Sequence, residues 1–125
     1  MTTNTETFQY INLSYLQMMS GDDIEMQYTV LMMLEEEIPQ ELEKMQTALT
    51  AKDWQALGNI SHKMKSTLAF IGNETMISAN AHIEKIARFQ ASKEGIEEFL
   101  IILDAQWLKV LPELQTATKQ HAPPQ

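Results

Sequence analysis

The fold of this 125-residue chain is decided by residues 22–50, DDIEMQYTVLMMLEEEIPQELEKMQTALT. Asp22, with Glu25 three residues later, resembles a capping box that begins a helix. Pro39 lies inside the stretch and predicts a kink or a division of that helix into two. Apolar side chains recur at steps of three and four residues and therefore share one helical face: Ile24, Tyr28, Leu31, Leu34, Ile38, Leu42, Met45 and Leu49.

The same periodicity predicts helices at about residues 12–19, 54–71 and 73–89, and a last one from about residue 93. Asp53 and Asn73 are suitable caps, and Gly72 is a suitable stop. Short connections favour antiparallel neighbours. We therefore predict an all-α fold, an up-and-down antiparallel four-helix bundle with an extra short N-terminal helix. The bundle domain is expected over residues 10–117, between a flexible N-terminus (1–9) and a flexible C-terminal tail (118–125).

Composition narrows the function classes. The net charge of −8, from 17 acidic and 9 basic side chains, argues against nucleic acid and against an anionic membrane surface as partners. There is no cysteine, so disulfides and thiol catalysis are excluded. The first residues lack the pattern of a signal peptide, and no apolar run is long enough to span a membrane. A cytoplasmic location is expected.

One helical face, around His62, has unusual chemistry. His62 lies opposite the apolar stripe of the helix over residues 54–71 and is expected to face solvent. Gly58 and Ser66, one turn to either side, are small, although glycine inside a helix costs about 1 kcal/mol relative to alanine. Small neighbours would let another protein approach the imidazole. The outer face predicted around His62 comprises Gly58, Asn59, Lys65, Ser66, Ala69 and Asn73.

The charges near His62 suit an anion. Residues 54–73 contain no Asp or Glu but include Lys63 and Lys65. Lys65 is three residues from His62, so its ammonium could reach and stabilise a phosphoryl group on the imidazole. Imidazole is a competent nucleophile near neutral pH. No Gly-rich phosphate loop or kinase motif is present, so the donor would be a protein or a small phosphodonor.

The segments SHKMKS (61–66) and FIG (70–72) resemble the phosphorylation-site signature of histidine phosphotransfer (HPt) domains, Ala-His-x-Leu-Lys-Gly followed by Leu-Gly. The likeness extends from residues 11–16 to residues 83–88. It implies that His62 accepts the phosphoryl group, that Lys65 stabilises it, and that Arg88 is the basic residue often ending the next helix. Gly72 matches the closing glycine. The departures are Ser61 for Ala, Met64 for Leu and Ser66 for Gly.

The resemblance also implies partners. It predicts transfer between the receiver domains of a hybrid histidine kinase and of response regulators, by a phosphocarrier that is not itself an enzyme. No metal or other cofactor of its own is expected, with Mg²⁺ on the partner receiver. The residues expected to contact a partner are Gly58, Asn59, Lys63, Ser66, Ala69, Asn73 and Arg88.

Two other classes of protein stay open at this point. One is a non-phosphorylated helical adaptor that docks on a receiver or kinase. The other is a metal or haem bundle, which needs inward ligands such as Glu-x-x-His pairs, and none is found. His82 is expected to have a structural or idle role, and His121 is expected to lie idle in the tail. Most methionines are expected in the core, with Met18, Met19 and Met64 as an apolar docking rim, and Glu35–Glu37 as a solvated face and not a cation site.

Overall fold

The computed structural model describes residues 8–123, and within them the chain forms five α-helices and no strand. Helices α2 to α5 contact one another in a ring, each packing on the next and α5 on α2, while α1 lies against α2 and α3. The prediction of an all-α four-helix bundle with a short extra N-terminal helix is confirmed. The helices are α1 (Ser14–Ser20), α2 (Ile24–Thr50), α3 (Trp54–Ile71), α4 (Glu74–Phe89) and α5 (Lys93–His121).

The core draws apolar side chains from all five helices, and the predicted stripe of α2 is buried from Leu31 onward. Ile24 is the exception, because its side chain is 54% exposed. The first turn of α2 instead meets the preceding turn of the chain through buried Gln27, whose amide donates to the Ser20 hydroxyl (2.9 Å) and the Gly21 carbonyl (3.2 Å). Packing at the start of α2 is therefore polar, and the stripe was predicted one turn too long.

Side-chain caps begin four of the helices, and caps were predicted for three of these four. Asp53 accepts from the N–H of residue 56 and Asn73 from that of residue 76, which confirms both predicted caps. For α2 the cap is Asp23, which accepts from the N–H of residue 26 at 3.0 Å. The predicted capping box, beginning at Asp22 and using Glu25, is therefore wrong by one residue.

Helix α2 continues through Pro39 from Ile24 to Thr50, so of the two predicted effects, a kink or a division, the division does not occur. Pro39 is exposed, while Ile38 and Leu42 beside it are buried in the core. Helical stability in proteins comes chiefly from packing of the apolar face, and that packing holds α2 together across the missing hydrogen bond.

Helix α5 runs to His121, so the predicted flexible tail is wrong for residues 118–121. Ala117 is fully buried, and the hydroxyl of Thr118 donates to the carboxylate of Glu35 on α2. The Nδ1 atom of His121 lies 2.8 Å from the Ala117 carbonyl, which places this histidine in a helix and not in an idle tail. These contacts hold the last turn of α5 against the bundle.

The segment before α1 is also attached to the bundle. The backbone N–H groups of Gln9, Tyr10 and Ile11 donate to the carboxylate of Glu113 on α5, at 3.1, 2.7 and 3.2 Å. Gln9 was predicted to belong to a flexible N-terminus, and its backbone N–H is hydrogen-bonded to the bundle. Residues 1–7 of that predicted segment lie outside the described residues.

The turn between α3 and α4 makes these two helices antiparallel neighbours. Gly72 ends α3 with φ at +70°, a left-handed conformation that favours glycine, as the predicted stop requires. A Cβ atom at Gly72 would collide with the Asn12 carbonyl, and the Asn12 N–H donates to the Ile71 carbonyl at 2.8 Å. This tight turn reverses the chain direction, so that α4 runs back along α3.

Candidate functional site

His62 lies on the outer face of α3, as predicted, with 64% of its side chain exposed. Its Nδ1 atom is 2.9 Å from Oε2 of Glu84 on α4. An ionised carboxylate can only accept hydrogen bonds, so the short contact assigns the ring proton to Nδ1. The lone pair of the neutral imidazole is then on Nε2, the nitrogen that a nucleophilic attack would use.

Glu84 is the centre of the site. Lys65 Nζ lies 3.3 Å from its Oε1, and Arg88 Nε lies 3.1 Å from its Oε2. Burial by itself would raise the pKa of Glu84, but hydrogen bonds from His62, Lys65 and Arg88 together hold that pKa below its ordinary value of 4.5. Glu84 is therefore a charged carboxylate that gathers an imidazole and two cations.

Glu84 was missed in the sequence, although signals for it exist. It lies four residues before Arg88 on one helix, a spacing that predicts an ion pair. An antiparallel register centred on the turn at Gly72 also brings it opposite His62. The absence of acids from residues 54–73 was therefore misleading, since the neighbouring helix supplies one. Lys65 reaches the site as predicted, but it is paired with a carboxylate.

Two predicted members of the outer face are buried instead. Gly58 lies on the flank of α3 that α4 covers, where an added Cβ would be 3.3 Å from Arg88 Cγ. Its carbonyl accepts from Arg88 Nη2 at 3.4 Å. Asn73 is 7% exposed, and its amide donates to the carbonyl of Tyr10 (2.9 Å) and to Oε1 of Gln106 (3.1 Å). The prediction that Gly58 and Asn73 face solvent is wrong. Helix α4 covers Gly58, and hydrogen bonds to other parts of the chain hold the Asn73 side chain inside.

The remaining predicted residues stay near the surface. Asn59, Lys63 and Ser66 are exposed and Ala69 is half-buried. The Arg88 side chain is 41% exposed while it contacts Glu84. The structure therefore gathers His62, Lys65 and Arg88 around one carboxylate and leaves three predicted contact residues open on the same helix.

Ser61, next to His62, has a partner that the sequence did not reveal. Its Oγ lies 2.7 Å from both the carbonyl oxygen and Oδ1 of Asn80 on α4. In return, Asn80 Nδ2 donates to the Ser61 carbonyl at 2.9 Å. Ser61 is fully buried and Asn80 is 1% exposed.

The other singled-out residues lie outside this cluster. His82 has its ring stacked on Phe99, with centroids 4.6 Å apart, and its Nδ1 is 2.8 Å from the Ser78 carbonyl, which fits a structural role. Met64 is fully buried, so its place in the predicted docking rim is wrong. Met18 and Met19 are 70% and 55% exposed. Among residues 8–123 no group of His, Asp and Glu is arranged to hold a metal ion.

A comparison with protein families identifies the family to which the chain belongs. The model of the Hpt domain matches residues 29–118, well over half of the sequence, and the chain belongs to that family. Hpt domains serve histidine phosphotransfer in two-component systems, as phosphocarriers without a catalytic site of their own, and they interact with receiver domains and kinases. Comparisons with curated proteins and with solved structures gave no match. No helix of the described part is long and apolar enough to cross a membrane.

Proposed function

We propose that this protein carries a phosphoryl group on Nε2 of His62 between the receiver domain of a hybrid histidine kinase and those of response regulators. The observation that carries the proposal is the exposed imidazole whose Nδ1 is held by Glu84 at 2.9 Å. This contact fixes the tautomer and so supplies a lone pair at the exposed end of the ring. The relay would take place in the cytoplasm.

The transfer step follows from this geometry. The Nε2 lone pair attacks the phosphorus of a receiver's aspartyl phosphate, and a P–N bond forms as the P–O bond to the aspartate breaks. The aspartate leaves as a carboxylate, and the positive charge that develops on the ring is stabilised through Nδ1–H by Glu84. The reverse step passes the group to the next receiver. Phosphoryl transfer needs mainly positioning and charge neutralisation, and Mg²⁺ on the partner receiver would supply part of the latter.

Lys65 has the charge and position to assist. Its Nζ lies 3.3 Å from Oε1 of Glu84, and the other oxygen of the same carboxylate contacts His62. The ammonium and the reacting ring are therefore separated only by that carboxylate. Charge-assisted hydrogen bonds to phosphoryl oxygens are stronger than neutral ones. If Lys65 moved the short distance from Glu84 to the phosphoryl group, its ammonium would offset the negative charge of that group. The Ser66 hydroxyl, one turn from His62, is a further donor.

The docking face extends from α3 toward α1. Tyr15 of α1 contacts Phe70 of α3, with ring centroids 5.2 Å apart, so the two helices form one surface. Exposed Met18 and Met19 lie on α1, and their flexible side chains suit an apolar partner surface. Asn59, Lys63 and Ser66 would provide the polar part. Gly58, Asn73 and Arg88 would act from within or beside the bundle by shaping this face.

The central experiment is to mix the protein with a ³²P-phosphorylated receiver and follow the label. We expect transfer to wild type and to His82→Gln, the matched control at the other exposed histidine of α3 and α4, but not to His62→Gln. The bound label should be acid-labile and base-stable, as a phosphoramidate is. Binding of a receiver that survives His62→Ala, with no phosphohistidine formed, would instead identify a helical adaptor and refute the proposal.

A second measurement tests the role of Lys65. Lys65→Ala should slow phosphorylation of His62 by roughly ten- to a hundredfold, because it removes a charge-assisted hydrogen bond worth roughly 1.5–3 kcal/mol. Lys85→Ala is the matched control, since it removes the same charge from an exposed position on α4 that the proposed docking face does not include. The free energy of unfolding should change by less than about 1 kcal/mol in both, because both side chains are at the surface. Equal rates for the two variants would remove Lys65 from the mechanism.

A further inference from the structure

The contact between Ser61 and Asn80 is a buried polar connection between α3 and α4. Its members are 0% and 1% exposed, and three short hydrogen-bonding contacts join them in both directions. The described residues contain no buried side-chain nitrogen or oxygen without a partner, so each polar side-chain atom of the pair has at least one. Such a network is rigid and specifies one arrangement of the two helices.

The pair connects two particular helical turns. In an α-helix the carbonyl of residue 61 accepts the N–H of residue 65, and that of residue 80 accepts the N–H of residue 84. The Ser61 carbonyl also accepts from Asn80 Nδ2, and the Asn80 carbonyl lies 2.7 Å from the Ser61 hydroxyl. The pair therefore ties the turn that carries His62 and Lys65 to the turn that ends at Glu84.

This placement matters because the contact at His62 is directional. Apolar contact between helices is non-directional and tolerates small sliding and rotation. The 2.9 Å distance from His62 Nδ1 to Glu84 would not survive a relative shift of about 1 Å, since a hydrogen bond weakens steeply with distance and angle. Hydrogen bonds one turn away, between the same two helices, remove that freedom.

We propose that Ser61 and Asn80 are positioning residues for phosphotransfer: their buried hydrogen bonds fix the register of α3 against α4, so that Glu84 faces His62 and Lys65. This inference rests on the proposed function of His62. Neither residue touches the phosphoryl group, and both act through the orientation of the imidazole.

The test is the double variant Ser61→Ala/Asn80→Leu, which removes both polar partners together and leaves neither one buried and unsatisfied. The ¹⁵N NMR signals of the His62 ring report its tautomer without any phosphodonor. Phosphorylation by phosphoramidate then reports reactivity without a receiver: the P–N bond of the reagent breaks, ammonia leaves, and a P–N bond to Nε2 forms. Ser61→Ala alone should give smaller changes in the ring signals and in the rate, in the same direction. It replaces the double variant in both measurements if the double variant does not fold.

We expect the fraction of His62 with its proton on Nδ1 to fall in the double variant. The rate of phosphorylation should fall about tenfold, within the roughly 100-fold that a misplacement of about 1 Å can cost. Gln27→Leu is the matched control. It removes another buried polar side chain, at the start of α2, and should lower stability without moving the ring signals of His62.

The outcomes separate this inference from the proposed function. Unchanged ring signals in the double variant, in a protein whose wild type does form phosphohistidine, would overturn the positioning role alone. If wild type forms no phosphohistidine from either receiver or phosphoramidate, the proposed function fails and this inference with it. A shifted tautomer together with slower phosphorylation supports both.

Discussion

At the scale of single residues, the site depends on the carboxylate of Glu84, whose two oxygens contact three basic groups. His62 and Arg88 contact Oε2, and Lys65 contacts Oε1. The Glu84 side chain is only 13% exposed, so it is the least accessible member of the cluster. A phosphoryl group on His62 would be an alternative partner for Lys65, while Arg88 would stay on Glu84. In the proposed function the carboxylate would thus hold the cluster together both with and without the phosphoryl group.

The lowered pKa of Glu84 predicts a dependence of stability on pH. A carboxylate whose pKa is lowered in the folded state stabilises the fold at pH values above its ordinary pKa of 4.5. That contribution is lost as the pH falls through the folded-state pKa. Glu84→Gln lacks this contribution. Urea unfolding between about pH 7 and pH 3 should therefore show a smaller loss of unfolding free energy in Glu84→Gln than in wild type.

The control for this measurement is Glu97→Gln, which removes an exposed carboxylate from α5. It should follow the wild-type curve through the acid range. Parallel curves for wild type and Glu84→Gln would contradict the role given to Glu84.

The sequence alone was sufficient to identify the site residues that lie together on α3. The exposure of His62 and the nearness of Lys65 follow from the period of α3 alone. Glu84 and Asn80 could not be assigned in the same way, because their contacts depend on the register between two helices. Gly58 was misplaced for a related reason. Its small size was assigned to an approaching partner, whereas it makes room for Arg88 of the neighbouring helix.

At the scale of helices, two connections carry a non-glycine residue with positive φ. Lys52, between α2 and α3, has φ at +56°, and Ala91, between α4 and α5, has φ at +50°. The Ala91 N–H donates to the Ile86 carbonyl at 2.8 Å, which closes the end of α4. L-residues are strained in this region of φ, and helices often end there with glycine instead.

Ala91→Gly should therefore stabilise the protein by about 0.5–1 kcal/mol, because glycine adopts positive φ without a Cβ penalty. The matched change Ala105→Gly, at an exposed position within α5, should destabilise it by about 1 kcal/mol. Thermal unfolding of the two variants measures the pair of effects. A loss of stability in both would show that relief of strain at Ala91 does not outweigh the added freedom of the unfolded chain.

Helix ends were predicted well where one side chain or one glycine decides them, as at Asp53, Gly72 and Asn73. They were predicted poorly where a distant element decides. The end of α5 depends on the contact of Thr118 with Glu35, and the continuity of α2 through Pro39 depends on the bundle packed against its inner face. Neither is a local property of the sequence.

At the scale of the whole molecule, Glu113 joins the beginning of the described chain to its last helix. Glu113→Ala should remove the acceptor of three backbone N–H groups and destabilise the protein by roughly 1–3 kcal/mol. Hydrogen exchange should be faster at Gln9, Tyr10 and Ile11, whose amides lose this acceptor. Glu98→Ala, an exposed acid of the same helix, is the control and should leave these amides protected.

Unchanged exchange at residues 9–11 in Glu113→Ala would mean that other contacts hold the segment before α1. Two such contacts involve Tyr10: the Asn73 amide donates to its carbonyl, and Lys109 Nζ lies 5.5 Å from the centre of its ring. A partial effect, limited to Gln9 and Tyr10, would still support Glu113 as the main acceptor.

The attachment through Glu113 has a topological consequence. Phe8 and His121 line one surface cavity of about 330 Å³, so the first and last parts of the described chain lie side by side. A short linker could join them, and new ends could be opened in the connection at residues 90–92, between α4 and α5. Such a circular permutant should keep all four helices of the bundle and the histidine site, since α3 and α4 remain connected by their own turn.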